Sequence, residues 1–180
     1  MKTKMLGLGL IIFGLVMTVN STVNAASSPK IGYFDLTAVL NQSHVGKQAK
    51  EDFDREKDKM KADMDAKASA FKTAREEFDK KKAVMDENTK NKKSKEIMEM
   101  QQEGEKMIME SNAKLNKLSS ELMAPIVDKI VEIARKIGKE DKYDFILELG
   151  KGGLVYANES ADLTKKVLAE LDKNPPALKR

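Results

Sequence analysis

Between residues 47 and 118 the chain has no proline and one glycine, Gly104, in a stretch dominated by Ala, Glu, Lys, Gln and Met. These residues lose little on entering a helix, and so charged a run cannot build a globular core; it predicts long, largely solvated helix. Met64, Phe71, Phe78 and Met85 recur every seven residues, with Met60 and Ala74 in the second seam position and Lys67 and Lys81 interrupting it. That is a heptad pattern. Beyond a polar run at 86–91, a second seam continues through Ile97, Gln101, Gly104, Ile108, Ser111, Leu115, Leu118 and Leu122.

Two amphipathic helices around a polar turn predict an antiparallel hairpin over 47–118 with its tip near 86–92, an arm about 60 Å long at ~1.5 Å rise per residue. Lys67, Lys81, Gln101, Gly104 and Ser111 stand where a rigid coiled coil places Leu or Ile, so a bendable arm is expected. Folding about the turn sets Phe71 near the level of Gly104, with the ring over the missing side chain.

The segments 26–46 and 119–180 supply the body. Residues 31–34 read as a strand, and 144–149 and 154–158 as two more joined into a hairpin by Gly150-Lys151-Gly152-Gly153. Ser160 and Asp162 compete to cap a last helix faced by Leu163, Val167, Leu168 and Leu171 and stopped by Pro175-Pro176. Between residues 122 and 137 one apolar stripe is Ile126, Ile130, Ile133 and Ile137, and a second is Val127, Val131 and Ala134. A helix apolar on two sides needs more cover than three short strands give, so self-association through this end is expected. Ile31, Tyr33, Phe145, Leu147 and Val155 join the isoleucine stripe as the expected body core and oligomer interface. Pro125 lies where arm meets body and is the expected hinge, or else a fixed bend. The fold class is thus mainly α with a small β element: a helical-hairpin arm on a strand-containing oligomerisation body.

The N-terminus sets the compartment. Lys2 and Lys4 precede an apolar run at 6–19, and Val23-Asn24-Ala25 offers small residues for cleavage, so 1–25 reads as a secretory signal peptide. The run is shorter than the ~20 residues that span a bilayer. The chain has no cysteine, which excludes disulfides, thiolate metal sites and N-terminal lipidation. Of the formal net charge of +4, Lys2 and Lys4 supply two, so 4 minus 2, or +2, remains after residue 25. Export and mixed charge argue against nucleic acid as a partner.

No catalytic constellation emerges. His44, the one histidine, reads as a solvated residue of the polar loop at 41–44, with no cysteine in the chain to activate. The glycines at 150–153 lack phosphate-loop spacing, and the carboxylates lie on helices where alternating charge is the ordinary solvated face. No cofactor or metal is expected.

Two features of the arm carry binding chemistry. Lys80, Lys81, Lys82, Lys90, Lys92, Lys93 and Lys95 surround the tip against only Asp86 and Glu87. Attraction to anionic lipid, lipopolysaccharide or acidic partners is one reading, and solubilising charge the other. Methionine concentrates at 60–123; Met98, Met100, Met107 and Met109 flank the second seam, and flexible thioethers suit a surface that accepts many partners. At ~100° per residue Met98 and Met109 lie farther from the seam than Met100 and Met107 and should be more exposed.

The ends also carry a resemblance. Lys30-Ile31-Gly32-Tyr33-Phe34-Asp35-Leu36, Val39-Leu40-Asn41-Gln42-Ser43, Gly46-Lys47, Pro125-Ile126, Tyr143-Asp144 and Ser160-Ala161-Asp162-Leu163-Thr164 resemble, in order, the Skp/OmpH family of periplasmic chaperones. The resemblance implies a homotrimer in the periplasm, with hairpin arms enclosing unfolded outer-membrane proteins and preventing their aggregation without ATP. A structural coiled coil of the cell envelope is the alternative, which a seam interrupted by Lys67, Lys81, Gly104 and Ser111 does not favour.

Overall fold

Alternating side chains start the fold: in β1 (Ile31–Phe34), Gly32 and Phe34 turn inward while Ile31 faces solvent. The computed structural model describes residues 28–150 and 153–178; the segment read as a signal peptide lies outside the described residues. Gly32 allows a close approach, since a Cβ there would sit 2.7 Å from Leu163 Cδ1 and 3.0 Å from the Tyr143 ring and these side chains would have to move.

Asp35 caps α1 (Leu36–Gln42) by accepting from the Ala38 N–H at 2.9 Å. A single buried residue, Ser43, then joins α1 to α2 (His44–Lys81). Its N–H donates to the Val39 carbonyl at 3.0 Å, closing α1, and its hydroxyl accepts from the Gly46 N–H at 3.1 Å, opening α2. A Cβ on Gly46 would fall 1.9 Å from the Leu40 carbonyl oxygen, so this corner requires glycine. The expected loop at 41–44 is therefore two helix ends, and His44 is the first residue of α2.

The arm turns at 82–86, ahead of the expected tip. Asp86 caps α3 (Glu87–Glu140), and most of the polar run read as a turn forms its first coils. At 54 residues α3 is about 80 Å long, and it passes through Pro125 without a break in its assignment. The arm is packed only from the side. No residue from 61 to 121 is fully buried.

α3 delivers the chain to β2 (Phe145–Glu148), which pairs in parallel with β1 in the register Ile31↔Phe145, Gly32↔Ile146, Tyr33↔Leu147 and Phe34↔Glu148. This corrects the expected hairpin. Residues 154–158 form no strand, and Val155, expected in the core, is 99% exposed. A parallel pair needs a crossover, and here the whole arm is that crossover. A short 3-10 turn (Glu159–Ala161) leads to a bridge between Asp162 and Tyr33, and then α4 (Thr164–Lys173) packs across the base. Of the two candidate caps, Asp162 accepts from the Thr164 N–H at 2.8 Å, whereas Ser160 lies in the 3-10 turn.

The core sits where α1, the foot of α2, α3 and α4 meet β1. Ile126, Ile130, Ile133 and Ile137 are all buried there, beside Phe34, Val39, Val45, Leu122, Leu163, Val167 and Leu171. Each fully buried aliphatic side chain stabilises by about 1.5–3 kcal/mol. The isoleucine stripe, expected in part as an interface between subunits, is covered within one chain. All three tyrosines lie outside the arm, so their fluorescence reports the base. Ile130→Ala is expected to lower base stability in urea by about 2–5 kcal/mol. Phe71→Ala removes more atoms from a half-buried site on the arm and should leave the tyrosine-detected midpoint unchanged. Equal shifts for the two would contradict a core confined to the base.

Candidate functional site

The candidate methionines divide by face. Met98 and Met109 are 58% and 69% exposed, whereas Met100 and Met107 are half-buried and line a cleft with Met64 and Phe71 of α2. Gln101 and Ile108, expected in the seam, also line this cleft but are exposed, Ile108 to 52%. The observed seam runs through Ile97, Met100, Gly104, Met107, Ser111 and Leu115, and departs from the expected one in having Met100 for Gln101 and Met107 for Ile108. Spacings of three and four satisfy either phase, and the structure selects the one that covers thioethers rather than an amide.

Phe71 and Gly104 do share one level of the arm, but nothing lies within 4 Å of the Cβ position of Gly104, so the ring does not cover it. Lys67 reaches across to Glu103 at 3.0 Å, and among the described residues this is the one ion pair joining α2 to α3 along the arm. The remaining arm pairs, such as Lys61–Asp65 at 2.7 Å and Lys106–Glu110 at 3.7 Å, lie along single helices and are exposed, where they contribute little. The arm therefore has a thin apolar seam and a solvated exterior on which Met98 and Met109 stand out.

At the tip, four of the seven lysines meet carboxylates. Lys82 pairs with Asp79 at 2.8 Å, Lys90 with Glu87 at 3.3 Å, Lys93 with Glu96 at 2.7 Å and Lys95 with Glu99 at 3.7 Å. Lys80, Lys81 and Lys92 are exposed and make no such pair among the described residues. The excess positive charge counted along the sequence is thus partly neutralised by acids on the flanking turns. Val84, between the helices, is 86% exposed.

On the body, the parallel register puts Ile31, Tyr33, Phe145 and Leu147 on one outward face of the two-stranded sheet. Ile31 is 47% and Phe145 58% exposed, while Tyr33 and Leu147 are half-buried. Of these residues, expected as body core or oligomer interface, none is buried within the single chain. Val131 of α3 is also exposed, beside an open cleft bounded by Phe34, Ala134 and Ile146. His44 holds Asp172 of α4 through its ring at 3.2 Å and its backbone N–H at 2.9 Å, a tie between arm and body that nothing near it in sequence foretells.

The tip cap rests on Asp86. The Thr89 hydroxyl and N–H both donate to Asp86, at 2.7 and 2.9 Å, and hold its carboxyl below the ordinary value of 3.8. A depressed carboxylate contributes stability that is fully present above 3.8 and is lost as pH falls through its folded-state value. Acidification below 3.8 is expected to fray the first turn of α3, read at the Thr89 and Lys90 amide resonances. Asp86→Asn keeps a capping oxygen that does not titrate, so the step should vanish; its persistence would contradict the assignment.

Residues 30–171 match the family model described as outer membrane protein (OmpH-like). Among solved structures, a putative outer membrane chaperone (OmpH-like) from Caulobacter crescentus CB15 superposes with a TM-score of 0.74. It is 14% identical, and the match covers 86% of this chain and 90% of that one. No curated protein matches. Among the described residues, no helix is long and apolar enough to cross a membrane.

Proposed function

The chain belongs to the OmpH-like outer membrane protein family, and from that premise we propose that it is an ATP-independent holdase that binds unfolded outer-membrane proteins in the periplasm. The observation that carries this reading is the arm itself. It presents large flexible apolar side chains, Met98 and Met109, to solvent on a helix pair with no fully buried residue from 61 to 121. A coiled coil built for rigidity would place them inward. Many weak thioether contacts hold any apolar segment and release it without chemistry, because no single contact is strong.

In this reading the chain assembles with copies of itself, as a homotrimer by family resemblance, through the outward sheet face of Ile31, Tyr33, Phe145 and Leu147. Export through the signal at 1–25 brings it to the periplasm. The arms splay at Pro125, where the helix lacks one backbone donor. Lys80, Lys81 and Lys92 at the tip contact anionic lipid or lipopolysaccharide. No catalytic step, cofactor or metal has a part in the mechanism.

The purified protein should keep an unfolded outer-membrane β-barrel soluble without nucleotide. Met98→Ser combined with Met109→Ser should retain helix content and oligomer while weakening affinity about three- to tenfold, the scale of one or two lost thioether contacts. Unchanged affinity with lowered thermal stability would place the client surface elsewhere. For the hinge, spin-label distances between arms should widen with client size and do so less in Pro125→Ala; equal spread in both proteins would make Pro125 a fixed bend.

A further inference from the structure

We propose that the cleft between α2 and α3 at the level of Gly104 binds one aromatic side chain next to a basic residue, presented by an extended peptide segment. The peptide's origin in a held client rests on the function proposed above, whereas the recognition chemistry does not. The cleft is open to solvent on one side, has a volume of about 320 Å³, and takes its apolar lining from Met64, Ala68, Phe71, Met100, Met107 and Ile108. Gly104 leaves its floor open, because a Cβ there would meet nothing within 4 Å. An apolar cavity of about 150 Å³ accommodates benzene, so this space takes an aromatic ring together with the atoms that link it to a backbone.

The lining selects the ring. Thioether sulfur favours the edge of an aromatic ring, three methionines surround the space, and Phe71 adds an aromatic surface for edge-to-face contact. An aliphatic side chain gains neither. The rim selects the neighbouring charge: Lys67 is held by Glu103 at 3.0 Å and Asp65 by Lys61 at 2.7 Å. Glu105 accepts only from the neutral Gln101 amide, at 3.0 Å, and is joined to no cation among the described residues. The unbalanced charge at the mouth is therefore negative and complements Lys or Arg beside the ring. Two seam positions that weaken the arm as a coiled coil, Gly104 and Lys67, are what open and border this space.

Protein labelled with ¹³C at the methionine methyls is titrated with N-acetyl-phenylalanyl-arginine amide. Saturable shifts are expected at Met64, Met100 and Met107, with Met98 and Met109 on the outer face unmoved. Leucine in place of phenylalanine should weaken binding about fivefold through lost sulfur–ring contacts. Glutamate in place of arginine should weaken it about threefold or more, and Glu105→Gln should erase that preference. Gly104→Leu fills the cleft from its floor and should weaken binding about tenfold with helix content retained; if helix is lost, the titration of the unsubstituted protein decides. Equal shifts at all five methionines, or wild-type binding by Gly104→Leu, overturns the proposal. Peptide binding without holding of an unfolded β-barrel overturns the function and leaves the cleft; holding without peptide binding overturns the cleft alone.

Discussion

Four isoleucines at helical spacing, Ile126, Ile130, Ile133 and Ile137, anchor one end of a 54-residue helix in the base, and the rest of that helix is free to be an arm. Burial there gives α1, the foot of α2 and α4 a common surface to pack on. It also holds the end of α3 where β2 can reach β1. Phe34 of β1, and Val39 and Val45 on either side of Ser43 at the close corner with Gly46, belong to the same buried cluster, so the strand pair and the corner both rest on this stripe.

Beyond Leu122 toward the tip the same helix has a different energetic basis. Its seam contains Gly104 and Ser111, its cross-helix ion pair is exposed, and its methionines divide between the seam and the outer face. Backbone hydrogen bonds and helix propensity keep each strand of the hairpin helical, while little apolar burial fixes one against the other. A base with a dense core and an arm with a loose seam is what the proposed holding of unequal, unfolded partners requires: firm registration at one end, compliant apolar contact along the other.

The arm was legible because propensity and heptad spacing agree over many turns, and the isoleucine stripe because a continuous apolar face has one physical meaning. Three features were not legible. The pairing of Ile31 with Phe145 joins residues on either side of the arm, and no local signal competes with the hairpin suggested by Gly150 to Gly153. The corner at Ser43 uses one residue as both a helix end and a helix start, so Asn41 and Gln42 looked like loop. The seam phase near Met100 and Met107 was open because Gln101 and Ile108 satisfy the same steps, and side-chain chemistry decided it. The tip had a readable signal, Asp86 three residues before Thr89, which marks a helix start rather than the middle of a turn.

The division of α3 into an anchored and a compliant part is tested most directly by residue-resolved hydrogen exchange on the free protein. Amides at 126–137 should exchange only with unfolding of the base, while those at 95–115 exchange about a hundredfold or more faster through local opening of the arm. Uniform protection from 95 to 137 would mean that the arm is as firmly held as its base, and would contradict this account of the fold and of the function built on it.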